Sequence, residues 1–224
     1  MQAENFLVQG KTIAFKFLYS GMEKEKAKSS VKEPDLSYGE YTYADYLSWD
    51  IEEMVELIRG KVFKKAAAAP NRIHQRLTGD LHTEVNMFLK GKMCQAYIAP
   101  FDVRLPVKSK KDNKIYTVVQ PDICVVCDLE KLDDRGCIGA PDLVVEVLSP
   151  GNKQLELQHK YEVYEASGVK EYWLMDAAGQ TLLIYTLVQG KYHSSRLMTS
   201  GDRARSTAVP GFELDLEAFF AEIK

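Results

Sequence analysis

An α/β fold, a central mixed sheet flanked by helices, is what the 224 residues predict, and three observations carry that expectation. Leu143 to Leu148 (LVVEVL) holds five large apolar residues in six, the mark of a strand buried on both faces. Ile73, Leu77, Leu81, Val85 and Phe88 recur at spacings of four or three, which places them on one face of a long helix. Helical and strand patterns then alternate to the end of the chain.

The elements follow in order. Residues 1–36 read as an N-terminal extension and linker, and 37–224 as the domain. Thr12 to Tyr19 can add a strand, while Glu23 to Pro34 is charged and poor in apolar residues, as linkers are. Thr42 with Asp45 resembles a capping box that opens a short helix through Tyr46 and Leu47. Met54 to Phe63 reads as two short strands around Arg59-Gly60, a hairpin signal. The long helix begins near Asn71. Cys94 to Val107 and Ile115 to Val126 follow as strands joined by a lysine-rich loop. A polar connection from Asp128 to Gly136 precedes the buried strand, which ends at Ser149-Pro150-Gly151. A helix over Asn152 to Ala166 stops at Gly168 as its C′ residue. Glu171 to Asp176 and Thr181 to Val188 are strands separated by Ala178-Gly179, and Val209-Pro210-Gly211-Phe212 leads to a short helix from Leu216.

With 46% hydrophobic and 27% charged residues, the composition is that of an ordinary globular protein. No apolar run approaches the ~20 residues of a membrane span, and no basic segment followed by an apolar run opens the chain. No membrane partner and a cytoplasmic address are the expectations. A net charge of -3 counts against a broad electrostatic grip on nucleic acid. Lys64-Lys65, the cluster Lys108, Lys110, Lys111 and Lys114, and Arg203 with Arg205 are local basic candidates, though each also suits a solvated loop. Cys124 and Cys127 form a CxxC in a stretch that reads as a strand, where residues three apart face opposite ways. No second pair completes a zinc site, so Cys94, Cys124, Cys127 and Cys137 read as free thiols in a reducing compartment.

Glu146 stands out, because a lone carboxylate inside such a strand is costly unless a cation or a set of donors meets it. Asp122 enters another apolar strand, behind Gln120 and Pro121, where a proline is tolerated. If the two strands are neighbours, Asp122 and Glu146 converge, and two hard oxygen ligands with room for water suit Mg²⁺. Glu156, Lys160 and Tyr164 are four apart and share a face of the helix that leaves the Glu146 strand. Lys160 then reaches the carboxylates, where a cation would hold an attacking water or stabilise transition-state charge. A buried Glu146–Lys160 pair locking helix to strand is the plain alternative. Asp142 shares the face of Glu146, but four strand residues separate the two by ~13 Å, too far for one metal. It is assigned to capping the strand entrance or to supporting hydrogen bonds.

The succession QPD (Gln120 to Asp122), APDLVVEVLSP (Ala140 to Pro150), Lys160 with Tyr164, and GVKEYWLMD (Gly168 to Asp176) resembles the Uma-type putative restriction endonuclease family of the PD-(D/E)XK nuclease superfamily. YADYL, VELIRGKV (Val55 to Val62) and VPGFELDL extend the resemblance over about Tyr41 to Phe220. It implies a restriction-endonuclease-like core and metal-dependent hydrolysis of DNA phosphodiester bonds, with Mg²⁺ or Mn²⁺ as cofactor. Asp122 and Glu146 match the metal-binding acids, with the carbonyl of Val147 as a third ligand. Glu56 matches an acidic residue that completes the metal site, although an exposed strand glutamate is the default there. The superfamily lysine lies two residues after the glutamate, where this chain has Leu148, and in this family it is displaced to Lys160. His74 matches a histidine beside the cleft, although a helix-start histidine also suits the surface. With Gln120 and Tyr164 it forms the expected supporting or substrate-binding set. Glu156 stands where the family has aspartate, and Pro70 to His74 lacks the usual preceding serine. DNA is the expected partner. Many such nucleases act as dimers, so a homodimer is also among the expected states. Two further readings share these residues: a catalytically inactive interaction protein on the nuclease fold, and a hydrolase of small phosphoesters.

Overall fold

The computed structural model describes residues 39–51, 54–64, 72–149 and 154–223, the side chains of 154–156 excepted. The expected strand at Thr12 to Tyr19, the linker, the 36/37 boundary, Lys65, Pro70-Asn71 and the Pro150-Gly151 strand exit lie outside the described residues.

The capping box opens α1 (Tyr43–Tyr46), with the Thr42 N–H donating to the Asp45 carboxylate at 2.8 Å. β1 (Val55–Ile58) and β2 (Lys61–Lys64) form the expected hairpin. Its two-residue turn places Arg59 (φ 51°) and Gly60 (φ 80°) in the left-handed region, as a tight loop of this length demands. In α2 (Arg72–Leu89) the predicted face is inward: Leu77, Leu81 and Val85 are buried, and Ile73 and Phe88 pack at its margins.

The two long strands expected next are each broken. β3 (Gln95–Ile98) and β4 (Val103–Arg104) flank Pro100, and β5 (Val118–Val119) and β6 (Ile123–Val126) flank Pro121. Neither proline can donate to a ladder, so each apolar stretch turns a corner there and passes into a different sheet. The connection expected over 128–136 holds part of a hairpin, β7 (Leu132–Asp133) with β8 (Gly136–Ile138). β9 (Leu143–Leu148), α3 (Gln154–Ser167), β10 (Glu171–Asp176) and β11 (Thr181–Val188) fall where the pattern put them. Gly168 (φ 87°) ends α3, its N–H and that of Val169 both returning to the Tyr164 carbonyl at 3.1 Å. β12 (Lys191–Ser194), β13 (Met198–Thr199), β14 (Arg203–Arg205), β15 (Glu213–Asp215) and α4 (Leu216–Ala221) complete the described chain.

The expected mixed sheet is present among the described residues as two large sheets, with β14 and β15 forming a separate two-stranded ribbon. One runs β12-β11-β10-β9-β6-β3, with β13 on β11, and the other β2-β1-β5-β4-β8-β7. Both are mixed, because β9–β10 and β4–β8 are parallel and the other pairs antiparallel. β9 sits inside the first sheet, between β6 and β10. Its odd-numbered residues, Leu143, Val145 and Val147, pack with α2 and α4, while Val144 packs with α3 residues Val163 and Tyr164 and with the second sheet. A strand that reads as uniformly apolar is covered on both sides.

Pairing of β3 with β6 sets Gln95 opposite Val126, so the next residues outward, Cys94 and Cys127, meet in a disulfide. This corrects the expectation of four free thiols; only Cys124 and Cys137 remain free, both buried. Burial pushes the Cys137 thiol up to about 11 and that of Cys124 higher still, so neither is a reactive thiolate at neutral pH. Among the described residues no helix is long and apolar enough to cross a membrane.

Candidate active site

Strand register brings the two acids together. β6 and β9 run antiparallel with Ile123 opposite Val145, and one step further along the same register sets Asp122 opposite Glu146. Directly opposed residues share a sheet face, here the face covered by α3 and the second sheet. Asp122 Oδ2 accepts the Val147 N–H at 2.8 Å, which fixes the aspartate against the strand that bears Glu146. His74, in the first turn of α2, brings Nε2 within 3.2 Å of the same oxygen.

Glu146 Oε1 is met twice from α3. Lys160 Nζ lies at 2.9 Å and the Tyr164 hydroxyl donates at 2.8 Å, so the four-residue helical spacing delivers both groups to one oxygen. Lys160 has a second carboxylate at 3.0 Å, Oε1 of Glu56 on β1. That oxygen also accepts the Gln120 N–H at 2.7 Å. Glu56 and Lys160, at 1% and 2% exposure, are among the most buried charged groups described. The hairpin default of an exposed glutamate does not hold, because β1 lies between β2 and β5 and its four residues are all buried.

Two carboxylates, Glu56 and Glu146, thus meet one ammonium, with Asp122 a further negative charge that acts on it. Burial pushes the Lys160 pKa down, but Glu146 and then Glu56 outweigh it, and the group lies well above the ordinary lysine value. It stays charged across the neutral range. Burial, and after it Glu146, holds the Tyr164 hydroxyl well above the usual tyrosine value, so it remains a donor. Glu56 Oε2 is buried with no hydrogen-bond partner among the described residues.

The remaining expected residues divide. Gln120 contributes its main-chain N–H to Glu56, while its side-chain amide donates to Asp102 Oδ1 at 2.8 Å and to the Tyr46 hydroxyl at 3.2 Å. The Tyr43 hydroxyl donates to Asp102 Oδ2 at 3.3 Å, so α1 is tied to the QPD segment. Sequence reasoning missed this bracket, because nothing in the Asp102 neighbourhood marks its partners. The side chain of Glu156 lies outside the described set. Among the described residues no three of His, Cys, Asp and Glu converge as a ready metal cage. Asp122 and Glu146, opposed across β6 and β9, carry hard carboxylate oxygens, the donor type that Mg²⁺ prefers.

Asp142 lies at the other end of β9 and is structural. One oxygen accepts the Cys127 N–H at 2.7 Å and the other meets Lys170 Nζ at 2.6 Å. Asp142→Ala strands that amide, and we expect a loss of about 2 kcal/mol of stability, read as a lower urea midpoint. Divalent-ion binding measured on the same variant is expected to be unchanged.

Comparison with known proteins adds three findings. A family model described as Uma2, putative restriction endonuclease, matches residues 43–217. The chain is similar to a crystal structure of a putative nuclease belonging to DUF820 from Anabaena variabilis ATCC 29413, with a TM-score of 0.63 and 21% identity, covering 81% of this chain and 98% of that one. That likeness bears on the fold alone. No curated protein matches the chain.

Proposed function

The chain belongs to the Uma2 putative restriction endonuclease family, and from that premise we propose that it is a metal-dependent endonuclease hydrolysing DNA phosphodiester bonds. One observation carries the proposal: Asp122 and Glu146 come from opposed positions on neighbouring strands, with a buried ammonium on one of them. Asp122, Glu146 and the Val147 carbonyl would hold Mg²⁺ or Mn²⁺. When bound, such an ion polarises the phosphate and lowers the pKa of its water.

The chain's own groups supply the rest. Lys160 carries a positive charge in a site of low dielectric and is held by two carboxylates, so it can orient a water or neutralise charge developing on the phosphate without reorganising. Tyr164 fixes the rotamer of Glu146 through Oε1. The Val147 N–H does the same for Asp122, and His74, with Nε2 against the same aspartate oxygen, would serve as a supporting or substrate-binding group. Glu56, whose Oε1 is taken by Lys160 and Gln120, acts first to place the ammonium; Oε2 remains to complete a metal site.

The acidic balance of the chain, a net charge of -3, favours a second reading, an inactive interaction protein on this fold. Supercoiled plasmid, single-stranded RNA and a chromogenic phosphodiester, each incubated with Mg²⁺ and then Mn²⁺, separate the cases. Nicking and linearisation of the plasmid is the expected result. Turnover of the small diester alone points to a phosphoester hydrolase. Inertness toward all three, with the ion bound, leaves the interaction protein.

A further inference from the structure

Resting on the nuclease reading above, we propose that the β4–β5 loop and the edge strand β2 form a track for the phosphate backbone of duplex DNA outside the active site. Lys108, Lys110, Lys111 and Lys114 fall within seven residues of that loop, and all four are exposed. Among the described residues none of their ammonium groups has an acidic partner. The only acid in the loop, Asp112, is occupied by Arg135 at 2.7 Å. In a chain with 32 acids against 29 lysines and arginines, this is a local reversal of sign.

The loop is anchored as well as charged. Leu105 and Ile115 are buried at its two ends, and the Leu105 N–H donates to the Thr117 carbonyl at 2.9 Å. Val107, between them, is 90% exposed, and Tyr116, just past Ile115, is 40% exposed, so the segment stands out from the sheet. It is also tied to the hairpin that serves the site. The Gly60 N–H donates to the Tyr116 carbonyl at 2.7 Å, and the Arg59 N–H to Thr117 Oγ1 at 3.1 Å.

From that turn β2 leads back to the reaction centre along the edge of the second sheet. Lys61 opens the strand on the face that Ile58 and Glu56 share, and Lys64, three residues on, stands on the opposite face; both are exposed. Basic groups therefore run from the loop to Lys61 at the turn of the hairpin that carries Glu56. A polyanion with evenly spaced charges is the partner such a row fits, and its continuity with the site favours the substrate strand over an unrelated acidic surface.

The test compares wild type with the combined Lys108→Ala, Lys110→Ala, Lys111→Ala and Lys114→Ala variant, and with the corresponding four-arginine variant. Duplex affinity is measured by fluorescence anisotropy in EDTA across a salt series, and cleavage in Mg²⁺ at saturating DNA. The alanine variant is expected to bind about tenfold or more weakly, its slope of log K against log salt being smaller by roughly two to four, since each neutralised phosphate contributes about 0.9. The arginine variant is expected to restore both, and the cleavage rate at saturation to be the same in all three. Equal affinity and slope in the alanine variant overturn the proposal. So does a wild type with no measurable duplex binding, or a loss confined to phosphatidylserine vesicles. If no protein cleaves but the slope difference persists, the track stands and the nuclease reading falls.

Discussion

Lys160→Met is expected to lower stability by about 3–5 kcal/mol, because it leaves Glu56 and Glu146 buried without their shared cation. For a domain of this size that is a fall in Tm of roughly 10 °C. Combining Lys160→Met with Glu56→Gln is expected to recover part of the loss, since the second change removes one of the stranded charges. Mn²⁺ is expected to raise the Tm of Lys160→Met more than that of wild type, because Glu146 Oε1 no longer has an ammonium competing for it. Plasmid cleavage by Lys160→Met is expected to be undetectable even when the ion is bound. A variant that unfolds no earlier than wild type, or that still cuts, removes the role given to this residue.

The second large effect runs the opposite way. Asp122→Asn retains an oxygen able to accept the Val147 N–H, so its Tm is expected to move by only a few degrees. Divalent binding by calorimetry is expected to vanish, and cleavage to fall by about a thousandfold, equivalent to about 4 kcal/mol of transition-state stabilisation. One substitution is thus costly to the fold with metal affinity kept, and the other is mild to the fold with metal affinity gone. If Asp122→Asn still binds Mn²⁺ as wild type does, the pair of acids is not the metal site.

What was legible in the sequence follows from range. The meeting of Glu146 with Lys160 and Tyr164 depends on one strand, one short crossover and a four-residue helical step, all local. The opposition of Asp122 and Glu146 needed one assumption about neighbouring strands, which the β6–β9 register supplies. The disulfide lay hidden because Cys94 and Cys127 are 33 residues apart and meet only if β3 and β6 pair in one register. The division into two sheets was likewise hidden, because apolar periodicity runs unbroken through Pro100 and Pro121 while the ladders do not. Glu56 is the sharpest case. Between Val55 and Leu57 on a hairpin it looks half-exposed, and only the flanking strands and α3 bury it.

The two sheets divide the reactive groups between them. Glu146 belongs to one, Glu56 to the other, and Lys160 on α3 is the rivet across the seam. Spacing in the candidate site is therefore inherited from how two slabs of the molecule are bolted together. On the proposed nuclease function, warming that loosens the joint is expected to abolish cleavage while each slab is still intact.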